Sequence, residues 1–425
     1  MNTIAKIAFG LYGIGWQIAL PLLKKNPRLA EGFDQRRYGP SQILAPIDIW
    51  IQAASAGESY LATSILEKIS TENALKILVT TNTRQGFEIL KTFVSVKRYP
   101  LKQIYLSYFP FDKPSNMAKL VRRLTPRVTV LLETEIWPGL LLAIKKKSLP
   151  AIILNGRLTP KSLKHYLIYP TLFRAVAPQK IAAVSKADGV RFGRLFPATP
   201  VTTMSNIKFD RVSFPDSTHL KQNALEPLFG QPSNLIVLGS IRAEEESLVI
   251  KIISNLLRHL PHIRIALFPR HMHRLDAWQD LLNQSGHPWV RRSAISRPVA
   301  EGKVILWDTF GELAAAYALA KTVFVGGSLV DIGGQNFLEP LSYGVRPVIG
   351  PFWDNFFWIG QRILSKRLVI RCTDWQAVTT ALIKDFKAPV NPEQLKLEAQ
   401  TYIKARQGGT RTACAVIDDI LSRKN

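Results

Sequence analysis

From residue 47 onward, short β-branched and apolar runs alternate with longer amphipathic stretches, the pattern of a parallel α/β architecture. In the first half the runs Ile47–Ala53, Ile77–Thr81, Gln103–Ser107, Val128–Leu132, Ala151–Leu154 and Ile181–Val184 read as strands. The pattern begins afresh with Leu235–Gly239, Arg264–Phe268, Val304–Trp307, Thr322–Val325, Arg346–Ile349 and Leu368–Arg371, with helix-length segments such as Glu244–His259 and Gly311–Ala320 between them. The stretch Asp210–Pro232, carrying Pro215, Pro227 and Pro232, holds no strong strand and reads as a connection between domains. No repeat or low-complexity tract interrupts the scheme. At 425 residues the chain is too long for one ordinary core, so two doubly wound sheets facing a cleft are expected, with ligands near the carboxyl ends of the strands.

A different pattern precedes the first strand. Ile7–Leu23 carries no formal charge, includes Tyr12 and Trp16, and is followed by Lys24, Lys25, Arg28, Arg36 and Arg37. Its length sits at the short limit of a spanning helix, which needs about 17–25 residues. The trailing positive cluster predicts that the rest of the chain stays on the cytoplasmic side. A cleaved signal peptide would place its charge before the apolar run and a small-x-small site after it, and neither is clear. Membrane attachment is therefore expected, against the alternative of a buried core helix.

Composition sharpens this picture. A hydrophobic content of 47% with 20% charged residues marks a folded globular protein. The only cysteines, Cys372 and Cys414, argue against a disulfide scaffold or a Cys-type zinc site and fit a reducing compartment. The net charge is +25, and it is uneven: residues 1–215 hold 31 basic against 12 acidic side chains, residues 216–425 hold 25 against 19. Such a field draws a polyanion to the first half: nucleic acid, an anionic membrane surface or a phosphorylated acceptor. The apolar amino terminus favours lipid over nucleic acid.

Candidate chemistry gathers where strands end. Ala54-Ser55-Ala56-Gly57-Glu58 follows the first strand and opens the helical run Ser59–Ile69. A carboxylate in a helix's first turn is favoured in its ionised form, as a general base requires; an ordinary acidic residue in a first turn reads the same way. Glu133-Thr134-Glu135-Ile136-Trp137-Pro138 places two carboxylates after Val128–Leu132, which strand alternation would point the same way. Asn155-Gly156-Arg157 and Asn206-Ile207-Lys208-Phe209-Asp210 supply cations for phosphate or carboxylate groups.

In the second half, Gly239-Ser240-Ile241-Arg242 lies where an anion-binding turn belongs. Pro269-Arg270-His271 and Asp308-Thr309-Phe310-Gly311-Glu312-Leu313 occupy similar junctions. The segment Gly326–Pro340 has Gly326, Gly327, Gly333 and Gly334 to let backbone approach phosphates, Asn336 to cap the next helix, and Glu339 to accept from ribose hydroxyls. A purely structural glycine loop is the alternative. No D-x-D pair occurs, so a metal-free phosphate grip is expected; there is neither a G-x-S-x-G elbow nor a G-x-G-x-x-G fingerprint, which counts against hydrolase and oxidoreductase readings.

In this order and spacing the set resembles the 3-deoxy-D-manno-octulosonic acid (Kdo) transferases of lipopolysaccharide synthesis. The resemblance also takes in Arg36-Arg37-Tyr38-Gly39 and Tyr108-Phe109-Pro110-Phe111-Asp112. It implies an α/β GT-B fold of two Rossmann-like lobes on the cytoplasmic face of the inner membrane. Residues 1–40 would be the membrane-anchoring segment and basic juxtamembrane region, 41–211 the acceptor domain, and 212–425 the CMP-sugar domain with the terminal helices. Glu58 would be the general base, with Glu133 and Lys208 stabilising the transition state. CMP would be held by Pro269, Arg270, Phe310, Gly311, Glu312, Asn336, Phe337, Leu338 and Glu339, without metal or cofactor. The implied partners are CMP-Kdo as donor, a phosphorylated lipid A precursor as acceptor and an anionic membrane surface, and not nucleic acid. Departures from the family pattern are Gln335, Phe337, Gly139, Ala243-Glu244 and Met272-His273. Two other readings are a GT-B transferase using a UDP-sugar on another anionic lipid, and a non-catalytic basic membrane-binding module.

Overall fold

The computed structural model describes residues 3–41, 43, 46–69, 74–96, 100–215, 223–229, 234–388 and 391–423. Two compact units emerge: Met1–Arg211 with Arg406–Asn425, and Val212–Ala405. Part of the expected connection Asp210–Pro232, namely 216–222 and 230–232, lies outside the described residues.

In the first unit seven parallel strands form one sheet: β1 (Ile49–Gln52), β2 (Leu75–Thr81), β3 (Lys102–Tyr108), β4 (Val128–Leu132), β5 (Ala151–Gly156), β6 (Lys180–Ala183) and β7 (Val201–Thr203), in the order β3-β2-β1-β4-β5-β6-β7. Both faces are covered, which is why the strands read as nearly continuous apolar runs. Side-chain alternation still sorts them. Ile49, Ile51, Val128, Val130 and Leu132 enter one core, while Trp50 and Leu131 enter the other. β1 pairs with both β2 and β4, Ile49 facing Ile77 on one side and Val128 on the other. The chain reverses its direction of winding there, so the crevice above β1 and β4 is where a ligand belongs.

The second unit repeats the plan with β8 (Leu235–Ile241), β9 (Arg264–Pro269), β10 (Trp289–Arg291), β11 (Lys303–Leu306), β12 (Thr322–Val325), β13 (Pro347–Ile349) and β14 (Ile370–Arg371), ordered β10-β11-β9-β8-β12-β13-β14 and parallel throughout. Its switch point lies between β8 and β12. The sequence pattern misses β7 and β10. Both are edge strands of three residues with partly exposed side chains, so neither carries an apolar run.

The last helix, Gly409–Ser422, corrects the expected boundary. Assigned by sequence to the second lobe, it packs in the first unit, burying Ala413, Cys414 and Ile417 in the core that also holds Ile49, Ile51 and Leu61. Asp210 fastens it by accepting from the amides of Gly408 and Thr410, both at 2.6 Å.

The amino-terminal helix runs from Thr3 to Leu23. At 1.5 Å per residue it is about 31 Å long, longer than the apolar core Ile7–Leu23 alone would give. Ala5 and Phe9 are buried on the lobe, while Ile4, Ile7, Leu11, Ile14, Ile18 and Leu22 are 52–66% exposed. Their spacing of three and four residues makes one continuous apolar stripe.

Candidate active site

At the end of β1, Ser55 caps the helix Ala56–Lys68 and makes a reciprocal box with Glu58. The Ser55 hydroxyl accepts from the Glu58 amide at 3.3 Å, and the Ser55 amide donates to Glu58 Oε2 at 2.9 Å. Glu58 is only 8% exposed. Burial, and after it the charge of Glu135, pushes its carboxyl up to about 8 in spite of the amide bonds. The helix start therefore does not keep it ionised, as the sequence suggested. Desolvation outweighs the dipole.

After β4 the chain turns sharply, with Glu133 at φ +54°. That left-handed turn breaks the expected alternation. Glu133 pairs with Lys208 Nζ at 2.7 Å, whereas Glu135 Oε2 accepts from the Trp137 indole at 2.6 Å and from Gln52 Nε2 at 3.3 Å. The three carboxylates nonetheless share one electrostatic environment, since Glu133 and Glu135 both raise Glu58. Gln52 extends the network inward: its Oε1 accepts from Thr80 Oγ1 at 2.6 Å, and Thr80 Oγ1 accepts from the Trp50 indole at 2.9 Å.

Lys208 is set by Asn155 and Asn206. Asn155, fully buried at φ +54°, accepts the Ile207 amide at 2.9 Å, and Asn206 Oδ1 accepts the Lys208 amide at 3.0 Å. Arg157 enters through its backbone: its amide donates to the Glu133 carbonyl at 3.4 Å, and the Thr134 hydroxyl donates to its carbonyl. Thus the first unit brings Glu58, Glu133 and Lys208 to the carboxyl end of its sheet, around its switch point.

In the second unit the glycine segment is held differently from expectation. Glu245, fully buried and absent from the sequence candidates, accepts from the amides of Gly327 at 2.5 Å, Arg242 at 3.0 Å and Leu329 at 3.4 Å. A Cβ on Gly326 would stand 2.5 Å from Glu245 Oε1. The amides of Gly326, Gly334 and Gln335 are spent on backbone carbonyls. These glycines serve close packing rather than an open phosphate cradle. The signal was present as Glu245, three residues after Arg242 at a strand–helix junction.

This frame decides which groups the loop presents. Asn336 is exposed, and its Oδ1 accepts the Leu338 amide at 3.2 Å. Phe337 and Leu338 turn inward; Phe337 is 1% exposed, with ring centroids 5.1 Å from Phe356 and 6.0 Å from Trp353. Only their backbone is left to face a ligand. Glu339 is partly exposed, raised by burial, and its carboxylate has no hydrogen bond or ion pair among the described residues. Pro269 ends β9, and exposed Arg270 ties its amide to the Ile241 carbonyl at 2.7 Å. Phe310 is 83% exposed and Gly311 adopts φ +85°. The Glu312 carboxylate is already engaged by Arg292 at 2.9 and 3.0 Å, Thr309 at 2.7 Å and the Trp307 indole at 2.9 Å. Burial pushes it up, but those bonds win and hold it below its ordinary range. Among the described residues no group of three or more His, Cys, Asp or Glu could hold a metal ion.

Two parallel seven-stranded sheets, each with polar groups gathered at its switch point, give the chain the GT-B fold. The solved glycosyltransferase from Rickettsia africae has this fold, covering 89% of this chain and 100% of its own, with 12% identity and a TM-score of 0.57. A family model described as 3-Deoxy-D-manno-octulosonic-acid transferase (kdotransferase) matches residues 26–211. The 3-deoxy-D-manno-octulosonic acid transferase of Haemophilus influenzae is 30% identical over 338 residues, 78% of each chain. That of Bordetella pertussis is 29% identical over 390 residues, 90% of this chain and 89% of its own. The chain belongs to the Kdo transferase family and is a glycosyltransferase.

Proposed function

We propose that this enzyme moves Kdo from CMP-Kdo to a hydroxyl of a phosphorylated lipid A precursor in lipopolysaccharide synthesis, with inversion and without a metal ion. The observation that carries it is the meeting of a buried carboxyl, Glu58, with the Glu133–Lys208 pair at the end of one sheet. Glu58 takes the acceptor proton as the acceptor oxygen bonds to the anomeric carbon, and the bond to CMP breaks with its electron pair leaving on phosphate. Lys208, oriented by Glu133, offsets negative charge, and Glu133 offsets the positive charge of an oxocarbenium-like transition state. On the donor side Arg270 offers phosphate a cation, Glu339 accepts from ribose hydroxyls, and Pro269, Phe310, Gly311, Glu312, Asn336, Phe337 and Leu338 contribute shape and backbone. The exposed stripe of the amino-terminal helix and the basic first half fit attachment to an anionic membrane on its cytoplasmic side.

Mass spectrometry of a phosphorylated lipid A precursor incubated with CMP-Kdo tests the reading. Addition of Kdo is expected, lost in Glu58→Gln while CMP binding persists. Transfer from a UDP-sugar instead, or wild-type turnover by Glu58→Gln, would overturn it.

A further inference from the structure

The run Tyr108–Asp112, at the end of β3, takes no part in the chemistry above, yet it ties the apolar amino-terminal helix to the catalytic loop. Asp112 is fully buried. Its Oδ2 accepts the Gly139 amide at 2.6 Å, its Oδ1 the Leu140 amide at 2.7 Å, and the Tyr12 hydroxyl donates to Oδ2 at 2.9 Å. Those amides open the helix Pro138–Lys146, whose own cap residue, Trp137, supplies no side-chain bond. Amides at a helix start lack partners within the helix, so a buried carboxylate on two of them is a firm hold. This helix follows Glu133–Trp137 directly, and fixing its first turn fixes where that loop lands. Gly139 completes the seat, because a Cβ there would stand 2.2 Å from the Asp112 carbonyl oxygen.

Aromatic rings run alongside. Phe111 lies 5.7 Å from Trp16 of the amino-terminal helix and 5.6 Å from Phe33, while Phe109 lies 4.8 Å from Trp137. Trp137 in turn donates to Glu135. The amino-terminal helix, which contributes Trp16 and Tyr12, leaves Ile4, Ile7, Leu11, Ile14, Ile18 and Leu22 exposed. A lipid bilayer is the partner that satisfies such a stripe, and Lys24 and Lys25 stand at its end for anionic headgroups.

We propose that Asp112 is a positioning residue for Kdo transfer, holding the turn after the Glu133–Trp137 loop, and that Tyr12 makes this hold depend on the seating of the amino-terminal helix in lipid. The inference rests on Glu133 and Lys208 acting as described above.

The test uses the full-length enzyme in nanodiscs of anionic phospholipid. Tyr12→Phe keeps its ring against Trp16 and loses one charge-assisted hydrogen bond, so kcat should fall about three- to tenfold while donor KM, CMP affinity and Tm stay close to wild type. Asp112→Asn should fall further, and the double variant no further than Asp112→Asn. Leu11→Glu with Ile14→Glu bars the helix from lipid without touching the lobe. With saturating acceptor in the same nanodiscs it should lower kcat, and add little to Tyr12→Phe. If Tyr12→Phe keeps wild-type kcat while Glu133→Gln is inactive, the positioning role fails and the site stands. If Glu133→Gln itself keeps wild-type kcat, the reading of the site fails. A fall in kcat matched by lost CMP binding and a lower Tm would mark plain unfolding and also overturn the proposal.

Discussion

Replacing Glu135 by Gln should move the pH at which this enzyme switches on. Glu58 is pushed up to about 8, first by burial and then by the charge of Glu135. A base with that affinity is ionised in about one molecule in ten at pH 7, in about half at pH 8 and in about nine in ten at pH 9. The pH dependence of kcat/KM reports the free enzyme, so it should climb about tenfold per pH unit below 8 and flatten above. Because Glu135 is itself held up by burial, this limb belongs to the pair rather than to one carboxyl. Glu135→Gln keeps an oxygen for the Trp137 indole and removes the charge, so the midpoint should drop by on the order of one unit, equivalent to about 1.4 kcal/mol. At pH 7 the variant should then gain several-fold in kcat/KM, with no gain at pH 9. Steady-state rates of CMP release between pH 6 and 9.5 read this directly. A wild-type midpoint in the ordinary carboxylate range, or one that Glu135→Gln leaves in place, would refute the reasoning.

The same displacement has a thermal counterpart. Unfolded Glu58 gives up its proton near 4.5, and folded Glu58 near about 8. Between those values the unfolded state has lost a proton the folded state keeps, so stability falls as pH rises through the window and stays lowered above it. The full effect is on the order of a few kcal/mol. Glu58→Gln should therefore gain Tm over wild type at pH 9 and gain nothing of this kind at pH 4; a wild type that stabilises relative to the variant as pH rises would contradict the buried-carboxyl picture.

Lys208→Met leaves Glu133 without its 2.7 Å partner, and kcat should fall by about two orders of magnitude or more. Adding Glu133→Gln should cost little further, and strictly additive losses in the double variant would show that the two act separately. Glu339→Ala should weaken CMP binding about ten- to a hundredfold in calorimetry, an unchanged affinity removing it from the ribose site. Glu245→Ala strips the partner from two amides of the glycine segment, and the melt should lose roughly 3 kcal/mol or more together with CMP binding; a variant melting like wild type would show that the loop is held by other means.

Most strands were legible because they are buried on both faces and so leave an apolar run of fixed length, while the edge strands β3 and β14 are partly exposed. All of the expected runs appear, with ends displaced by a few residues where a strand continues into the loop that bears the chemistry, as β8 does through Ser240 and Ile241. β7 and β10 escaped because each is an edge strand of only three partly exposed residues, too short to leave an apolar run. Glu58 and Glu133 stood out as polar residues just beyond apolar strands, and Lys208 as a cation in the Asn206–Asp210 run. What could not be read was how much each side chain gives up to its surroundings. Dipole reasoning alone favoured an ionised Glu58, because burial at the switch point depends on β4 and its loop, far away in sequence. Alternation misplaced Glu133 because a positive φ in a non-glycine residue leaves no mark in the sequence.

Several positions read above as departures from the family pattern bear on packing. Phe337 fills the space between Trp353 and Phe356, and Gln335 lies against Gly327, where a Cβ would come within 3.1 Å of Gln335 Cγ. Gly139 is required by the approach of the Asp112 carbonyl, and His273 stacks on His271 at 5.5 Å. Phe337, Gln335 and Gly139 bear on how a loop packs against its own lobe, and none of the departures replaces Glu58, Glu133, Lys208, Arg270 or Glu339. A loop whose amides are already committed to Glu245 and to backbone carbonyls can exchange packing side chains while its backbone keeps its path. The residues able to meet a nucleotide, Asn336 and Glu339, are positioned by that frame rather than by the glycines' freedom. Changes confined to the frame should therefore shift stability before they shift chemistry.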